Sequence, residues 1–226
     1  MRWRRRVRLG ALLLGLVLIA SGIGVIVTGV YHQWLDQQQV AARAYNDSNA
    51  LNAWKDGGSA ALPGTPAATA TPAATPTPVT ISECGGGGAS SDAYALVAFS
   101  GLPQYNYAGV AVNGDWSGLY DRSMVHWSGS PAPGGTGNVI IAFHREPNFE
   151  FIDQLGPGET VTIQDRSCTT YVYTVTQRWQ LAPSDVTQLV PTSGHELTLV
   201  TCTPWWVDYD RLVWRADLTS VNGVAA

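Results

Sequence analysis

The sequence predicts an all-β domain carried behind a single N-terminal transmembrane helix. An uncharged apolar stretch follows a cluster of arginines, a tract rich in Pro, Ala and Thr comes next, and short apolar runs between Gly, Pro, Asn and Asp clusters fill the rest. We therefore divide the 226-residue chain into an anchor (1–30), a juxtamembrane helix (31–56), a linker (57–91) and a folded domain (92–226).

The N-terminal segment has the composition of a membrane anchor. Five arginines lie in the first eight residues, and the stretch from Leu9 to Val30 carries no charge. At about 1.5 Å per residue, a helix of this length crosses a hydrocarbon core of about 30 Å. The arginines predict a cytoplasmic N-terminus and an extracellular domain. The competing interpretation is a signal peptide cleaved near Ala20 to Gly22, but signal peptides have apolar regions of only about 7 to 15 residues.

Two segments connect the anchor to the domain. From Tyr31 to Lys55 the sequence has neither Gly nor Pro, which favours a helix that continues the anchor, with Trp34 at the membrane interface. From Gly57 to Thr80 no apolar periodicity is present, so an extended spacer is expected. Four glycines at 85–88 predict a flexible joint before the domain.

The domain has short, regularly spaced candidate strands, which are typical of a barrel or a sandwich. They are 95–99, 108–112, 138–143, 160–164, 171–177, 197–201 and 212–216. Between the strands at 171–177 and 197–201, residues 183–189 are expected to form one or two helical turns with Ser184 as the N-cap.

The charge distribution argues against nucleic-acid binding. The formal charge of −4 includes the five N-terminal arginines, so the other 196 residues carry eight basic and 17 acidic side chains, a net charge of −9. Such a surface repels phosphate backbones. We expect no nucleic-acid partner.

Three cysteines, Cys84, Cys168 and Cys202, set the redox possibilities. Disulfides form outside the membrane, but an odd count leaves at least one thiol unpaired, and we expect it to be Cys202. A Cys84 to Cys168 bridge would tether the Gly-rich joint to the domain, although nothing in the spacing requires it. Without a CxxC pair or clustered His, we expect neither a zinc-type metal site nor a cofactor.

The most informative stretch is TLVTCTPWWVDYDRLVWR, residues 198–215. Alternating strand residues end on Cys202, and after eight loop-type residues a second run begins at Arg211, so a strand connection can bring Arg211 beside Cys202. A nearby cation favours thiolate and can stabilise an oxyanion. The plain alternative is a buried Cys and a surface Arg.

A nucleophilic Cys needs a proton-transfer partner, so the four histidines must be distinguished. His32 lies beside the anchor, His195 is expected on a solvated loop, and His126 in a Trp- and Gly-rich connection suits a structural hydrogen bond. His144 directly follows the apolar run NVIIAF, so like Cys202 it stands at the end of a predicted core strand.

Three stretches carry a family resemblance. They are GNVIIAFHREPNFEFIDQLGPGETVTI around His144, YVYTV at 171–175, and LTLVTCTPWWVDYDRLVWRA around Cys202 and Arg211. In this order behind an N-terminal anchor they resemble a sortase, a membrane-anchored cysteine transpeptidase of Gram-positive-type cell surfaces. The likeness covers most of residues 94–217 and implies an eight-stranded β-barrel with short helices.

The resemblance also implies residue roles. Cys202 matches the nucleophile that attacks Thr in an LPXTG-like sorting signal, His144 the proton-transfer residue, and Arg211 the residue that orients the substrate and stabilises the oxyanion. Thr201 is expected to help position the substrate. The partners would be surface proteins bearing the signal and an amine of a cell-wall precursor or a pilin.

Three aromatic or loop features extend the expected site. Trp205 and Trp206 are expected to wall the substrate groove, with packing at the barrel end as the alternative. The loop at 179–196 is a second expected wall, because the corresponding sortase loop contributes to signal selection. Phe143 departs from the family, which usually has Gly before His, so a narrowed groove or an altered backbone is expected.

Other features concern subclass and rival activities. The chain ends a few residues after the last predicted strand and no aromatic-acidic lid motif precedes the barrel, which favours a class D or class E type. An L,D-transpeptidase is disfavoured because Gly is missing before Cys202. A non-catalytic surface-binding module with an inert Cys202 is the remaining alternative.

The pH dependence of such a pair can be bounded from ordinary pKa values. With pKa values of about 8.5 for Cys and about 6.5 for His, roughly one per cent of molecules hold both charged groups at pH 7. A bell-shaped profile is expected, and a flat one across about pH 6 to 9 would contradict the pairing. Arg211 favours thiolate while apolar surroundings oppose it.

Overall fold

A computed structural model describes residues 2–55, 91–105 and 107–226, with side chains described from residue 14 onward except residue 16. One helix, α1, spans Arg2–Lys55. The strands in the described residues are β1 (Ala93–Ala98), β2 (Ala108–Gly114), β3 (Met124–Trp127), β4 (Gly137–Phe143), β5 (Thr160–Asp165), β6 (Thr170–Leu181), β7 (His195–Thr203), β8 (Asp210–Val221) and β9 (Val224–Ala225). Short 3-10 helices lie at Trp116–Tyr120, Ile152–Gln154 and Thr187–Leu189.

Eight of these strands close into a barrel. Their order is β6-β5-β1-β2-β3-β4-β7-β8, and pairing of β6 with β8 completes the ring, while β9 pairs only with the end of β8. The β2–β3 and β4–β7 pairs are parallel and the others antiparallel. The predicted eight-stranded barrel is confirmed. Closure leaves few exposed strand edges, which is how small all-β domains avoid edge pairing.

The barrel interior is filled by apolar side chains from nearly every strand. Leu197 and Leu199 of β7 and Trp214 of β8 are completely buried. The buried indole N–H of Trp214 donates to the Leu155 carbonyl at 2.8 Å, so its polar group is satisfied. β4 is buried along its whole length, which fits its position between two neighbouring strands of the closed sheet.

All seven predicted strands form, and most extend further than predicted. The strand β3 was not predicted, since Met124, Val125 and His126 are all buried and show no alternation. The helical turn in the β6–β7 connection is present but short. Ser184 is not its N-cap, because the turn begins at Thr187, and the Asp185 carboxylate accepts the Thr187 N–H at 3.0 Å instead.

The helix α1 is long and apolar enough to cross a membrane and is compatible with a single-pass anchor. Contacts divide the chain into two compact units, Met1–Ala41 and Ala42–Ala226, so the last turns of α1 belong to the same unit as the barrel. The predicted linker at 57–91, the glycines at 85–88 and Cys84 lie outside the described residues, apart from Ser91 at the linker's end.

The last turns of α1 are held against the barrel by buried groups. Trp54 is fully buried, and its indole N–H donates to the Gln164 side-chain oxygen of β5 at 3.0 Å. Ala50 packs with Trp54 against Leu96 and Val110. A buried hydrogen bond inside an apolar contact fixes both the depth and the rotation of the helix.

Trp54→Phe is therefore expected to lower the free energy of unfolding by about 1–3 kcal/mol, because the buried Gln164 oxygen loses its donor. The measurement is urea unfolding of the full chain in detergent, followed by circular dichroism. Trp34→Phe is the matched control, since Trp34 is 53% exposed, and its effect should stay within about 0.5 kcal/mol. Equal stability of the Trp54 variant and the wild type would mean that this contact does not hold the helix.

Candidate active site

Cys202 and Arg211 face each other at the end of the β7–β8 pair. The ladder pairs Cys202 directly with Arg211, one step before its last pair, Thr203 with Asp210. Side chains of directly opposed residues project to the same face of a sheet with their Cβ atoms about 5 Å apart. The register therefore places Arg211 directly opposite Cys202 on the same face of the sheet. The Arg211 guanidinium donates to the carbonyls of Asp208 and Asp210, both at 3.1 Å.

His144 is held at the end of β4, which runs parallel to β7. Its backbone N–H donates to the Ser123 carbonyl at 2.8 Å, and its ring Nε2 lies 2.9 Å from the Leu119 carbonyl. A carbonyl only accepts, so Nε2 carries a hydrogen and the neutral ring has its lone pair on Nδ1. Nδ1 is thus the atom able to take a proton.

A short hydrogen bond ties the two strand ends together. Thr201, next to Cys202, donates its hydroxyl to the carbonyl of Phe143, next to His144, at 2.6 Å, and both residues are buried. This hydrogen bond fixes the spacing between β7, which carries the thiol, and β4, which ends next to the imidazole. Its expected contribution to substrate positioning remains a prediction.

Phe143 is accommodated inside the barrel. Its ring packs against Phe99, Phe149 and Trp214, with ring centroids 5.5, 5.4 and 6.3 Å away, and the residue is 3% exposed. Phe143 also borders the cleft that holds His144, so the expectation that a bulky residue here narrows the groove remains a prediction. The strand alternation turns this side chain into the core, away from the direction of its neighbour His144.

Cys202, His144 and Arg211 line one cleft of about 440 Å³. The rest of its lining is mostly apolar and includes Trp116, Leu119, Ala142, Pro183, Val186, Leu189, Val200 and Val213. The β6–β7 connection supplies Pro183, Val186 and Leu189, so the second wall expected at 179–196 does border the cleft. A cleft of this size and lining suits a short peptide with apolar side chains.

The tryptophans of the β7–β8 loop lie outside the lining of this cleft. Trp205 and Trp206 are 42% and 53% exposed, and their ring centroids are 5.9 Å apart. The backbone N–H of Trp206 donates to the buried Glu146 carboxylate at 2.7 Å. Their expected contact with a substrate remains a prediction.

Burial dominates the electrostatics of the thiol. It raises the pKa of Cys202 to about 11, with further increases from the negative charge of Asp208, a hydrogen bond to that carboxylate and the charge of Glu146. Arg211 acts in the opposite direction but does not compensate. From the sequence alone, it was open whether burial or the charge of Arg211 has the larger effect on this pKa. In the structure burial has the larger effect, so the thiol is neutral at pH 7.

The imidazole is also neutral in this environment. Burial lowers the pKa of His144 below 6.5, and the positive charge of Arg43 lowers it further. The hydrogen bond to Leu119 and the charges of Glu146 and Asp208 act in the opposite direction. The pair is therefore thiol and imidazole at pH 7, and the thiolate–imidazolium form is a minor population.

Sequence reasoning missed two acidic residues of the site. Glu146, two residues after His144, holds the β7–β8 loop through Trp206, and Asp208 acts on both the thiol and the imidazole. Trp206 and Asp208 have positive φ angles of 65° and 55°, which marks an unusual loop conformation for residues with a Cβ. The length of the loop could have indicated Asp208, because all eight residues between Cys202 and Arg211 must lie near the thiol.

The other cysteines and histidines occupy different places. Cys202 is a free thiol and Cys168 is disulfide-bonded, while Cys84, which the sequence offers as one possible partner for Cys168, lies outside the described residues. His126 is buried, with its ring 2.8 Å from the Asn113 side chain and 2.9 Å from a backbone carbonyl, which confirms a structural role. His195 is exposed and begins β7 rather than lying on a loop.

No three His, Cys, Asp or Glu side chains among residues 14–55, 91–105 and 107–226 form a group able to hold a metal ion.

Comparisons with known proteins agree on one family. Residues 102–219 match the family model described as Sortase domain. No curated protein matches the chain. Among solved structures, the chain is similar to the sortase D5 transpeptidase of Clostridium perfringens, with 26% identity, a TM-score of 0.51 and coverage of 57% of this chain and 80% of that one.

Two further solved structures extend the comparison. Sortase C1 of Streptococcus agalactiae is 29% identical, with a TM-score of 0.50 and coverage of 57% and 67%. Sortase E of Streptomyces avermitilis is 24% identical, with a TM-score of 0.51 and coverage of 58% and 90%, and supports the fold.

Proposed function

Since the chain belongs to the sortase family, we propose that it cleaves an LPXTG-like sorting signal after Thr and transfers the protein to an amine. The observation that carries the proposal is the single apolar cleft that holds Cys202, His144 and Arg211. These three side chains lie at the ends of the neighbouring strands β4, β7 and β8, and this strand order supports a shared site.

In the first half-reaction a proton moves from Cys202 Sγ to the His144 ring. The thiolate attacks the Thr carbonyl carbon, the peptide C–N bond breaks, and the imidazolium returns the proton to the leaving nitrogen. The products are an acyl-thioester on Cys202 and a free amine. Arg211, opposite the thiol in the ladder, stabilises the oxyanion that forms on the carbonyl oxygen.

In the second half-reaction the acceptor amine attacks the thioester carbon. Its surplus proton passes to His144, the C–S bond breaks, and the proton returns to Sγ, so the enzyme ends as it began. Trp205 and Trp206, which are exposed on the β7–β8 loop, contact the sorting signal, and Thr201 keeps the two strand ends in register for both steps.

The cellular setting follows from α1. We propose that the helix anchors the enzyme in the cell membrane with its N-terminus in the cytoplasm and the barrel outside, where surface proteins, cell-wall precursors and pilins meet it. A class D or class E type is our assignment of subclass, supported by the similarity to the sortase D5 transpeptidase.

The experiment that tests the proposal is incubation of the full chain in detergent with an LPXTG-type peptide and hydroxylamine. Mass spectrometry should show cleavage after Thr, a hydroxamate product, and a transient acyl adduct on Cys202. Intact peptide together with an unmodified Cys202 across a panel of such peptides would favour the rival function, a surface-binding module with an inert thiol.

The pH profile of kcat/KM should be broad. The acid limb is expected below pH 6.5, because the pKa of His144 is lowered, and the alkaline limb near pH 11, because the pKa of Cys202 is raised to about that value. Activity should be level from about pH 7 to about pH 10. This level range is wider and extends to higher pH than the range expected from ordinary pKa values.

Asp208→Asn supplies the matched variant for this profile. Loss of the Asp208 charge lowers the pKa of Cys202 and also that of His144, so both limbs should move to lower pH. Stopped assays with the peptide substrate between pH 5 and about pH 11.5, with circular dichroism at each pH, provide the measurement. An alkaline limb near pH 8.5 in the wild type would mean that burial does not control the thiol.

A further inference from the structure

Hydrogen bonds connect the last turns of α1 to His144 by way of Ser123. The Asp47 carboxylate accepts the Ser123 backbone N–H at 3.1 and 3.2 Å, and the Ser123 carbonyl accepts the His144 N–H at 2.8 Å. One residue earlier, the Asn46 amide donates to the Asp121 carbonyl at 3.0 Å. These bonds place one face of the helix at the end of the barrel where His144 lies.

Arg43 stands on that face, one helical turn before Asp47. Residues four apart lie on the same side of a helix, so Arg43 projects toward the segment that holds His144. The side chain is half-buried, and its Nε is buried without a hydrogen-bond partner. Across the described residues, Arg43 forms no hydrogen bond or ion pair.

The charge of Arg43 acts on the imidazole of the active site and is opposed there by the smaller effects of Glu146 and Asp208. After burial, it is the largest cause of the lowered pKa of His144. The acidic groups of this region have other partners. Asp47 pairs with Arg122 at 3.3 Å and binds Ser123, Glu146 accepts the Trp206 N–H, and Asp208 lies at the thiol.

We propose that Arg43 binds a carboxylate carried by the acceptor amine and so makes the enzyme select acceptors that bear one. The inference rests on the proposed function, in which His144 takes the proton of the incoming amine. Arg211 is beside the thiol and serves the carbonyl of the thioester, whereas Arg43 is on the side of the imidazole. A guanidinium with free donors at that place matches a carboxylate in both charge and shape.

The test compares acceptor pairs that differ only in the carboxylate. The full chain in detergent is given an LPXTG-type peptide with glycine, 4-aminobutanoate or 6-aminohexanoate, each against its carboxamide. The readout is the ratio of amine-transfer product to hydrolysis product, which reports on the second half-reaction alone. For at least one chain length the wild type should prefer the carboxylate by about tenfold to a hundredfold.

Arg43→Gln should bring that preference close to one, and Arg43→Lys should retain part of it because the charge is kept. Lys55→Gln is the matched control, since it removes a positive charge from the end of the same helix and should leave the preference unchanged. The Lys variant also separates loss of charge from any loss of folding.

The outcomes separate this inference from the proposed function. Absence of any acyl adduct on Cys202 would overturn both, because no thioester would exist for an amine to attack. Acylation of Cys202 with no preference for carboxylates, or with a preference that survives in Arg43→Gln, would overturn the Arg43 assignment alone. A change confined to peptides with an acidic residue after the cleaved bond would assign Arg43 to the leaving peptide and overturn the acceptor assignment.

Discussion

Cys202→Ala is expected to abolish both peptide cleavage and amine transfer. The thioester cannot form without Sγ, and the cleft offers no second nucleophile at the end of β7, where Thr201 and Thr203 are buried. The loss should be on the order of a million-fold, as for removal of a covalent nucleophile from a protease. The measurement is product formation over several days with the full chain in detergent, by mass spectrometry.

The fold should survive this change. Cys202 is half-buried at a strand end and forms no disulfide, so a methyl group fills its place with little effect on packing. Thermal unfolding within a few degrees of the wild type is the control. Cleavage by Cys202→Ala at a rate similar to the wild type would end the assignment of this thiol as the nucleophile, whatever the family.

His144→Ala should lower kcat/KM by about 10²–10⁴-fold, which is the usual range for loss of a proton-transfer residue. The remaining activity should also lose the acid limb of its pH profile, because the group that titrates below pH 6.5 is gone. Added imidazole should restore part of the rate. The measurement is kcat/KM from about pH 5 to about pH 9 with and without imidazole.

His195→Gln is the matched control, because His195 is exposed and does not line the cleft with Cys202. It should leave the rate and the acid limb unchanged. An acid limb that persists in His144→Ala would assign this titration to another group and reduce His144 to a structural role.

The placement of the main site residues could be predicted because it depends on local pattern. Alternation fixed the face of Cys202, and a loop of eight residues limited how far Arg211 can lie from it. His144 could be placed at a strand end because an apolar run of strand length ends immediately before it, whereas its role came from the family resemblance. These positions can be predicted without knowing which strands pair.

The rest depends on contacts between distant parts of the chain. The strand β3 has only four residues and contains a buried histidine whose hydrogen bonds come from other segments, so its own sequence shows no strand period. The docking of Asp47 on Ser123 joins residues 76 positions apart. The balance between burial and Arg211 at the thiol depends on how deeply the barrel covers Cys202, and composition cannot give that depth.

The bond between Glu146 and the Trp206 amide has a consequence for engineering. Grafting a foreign segment between Pro204 and Asp210, to redirect peptide choice, brings a new residue to position 206. A proline there cannot adopt the positive φ seen at Trp206. It also has no amide hydrogen, so the buried Glu146 carboxylate would lose its hydrogen-bond donor. Transplanted loops must therefore keep a donor N–H at this position, or be exchanged together with Glu146.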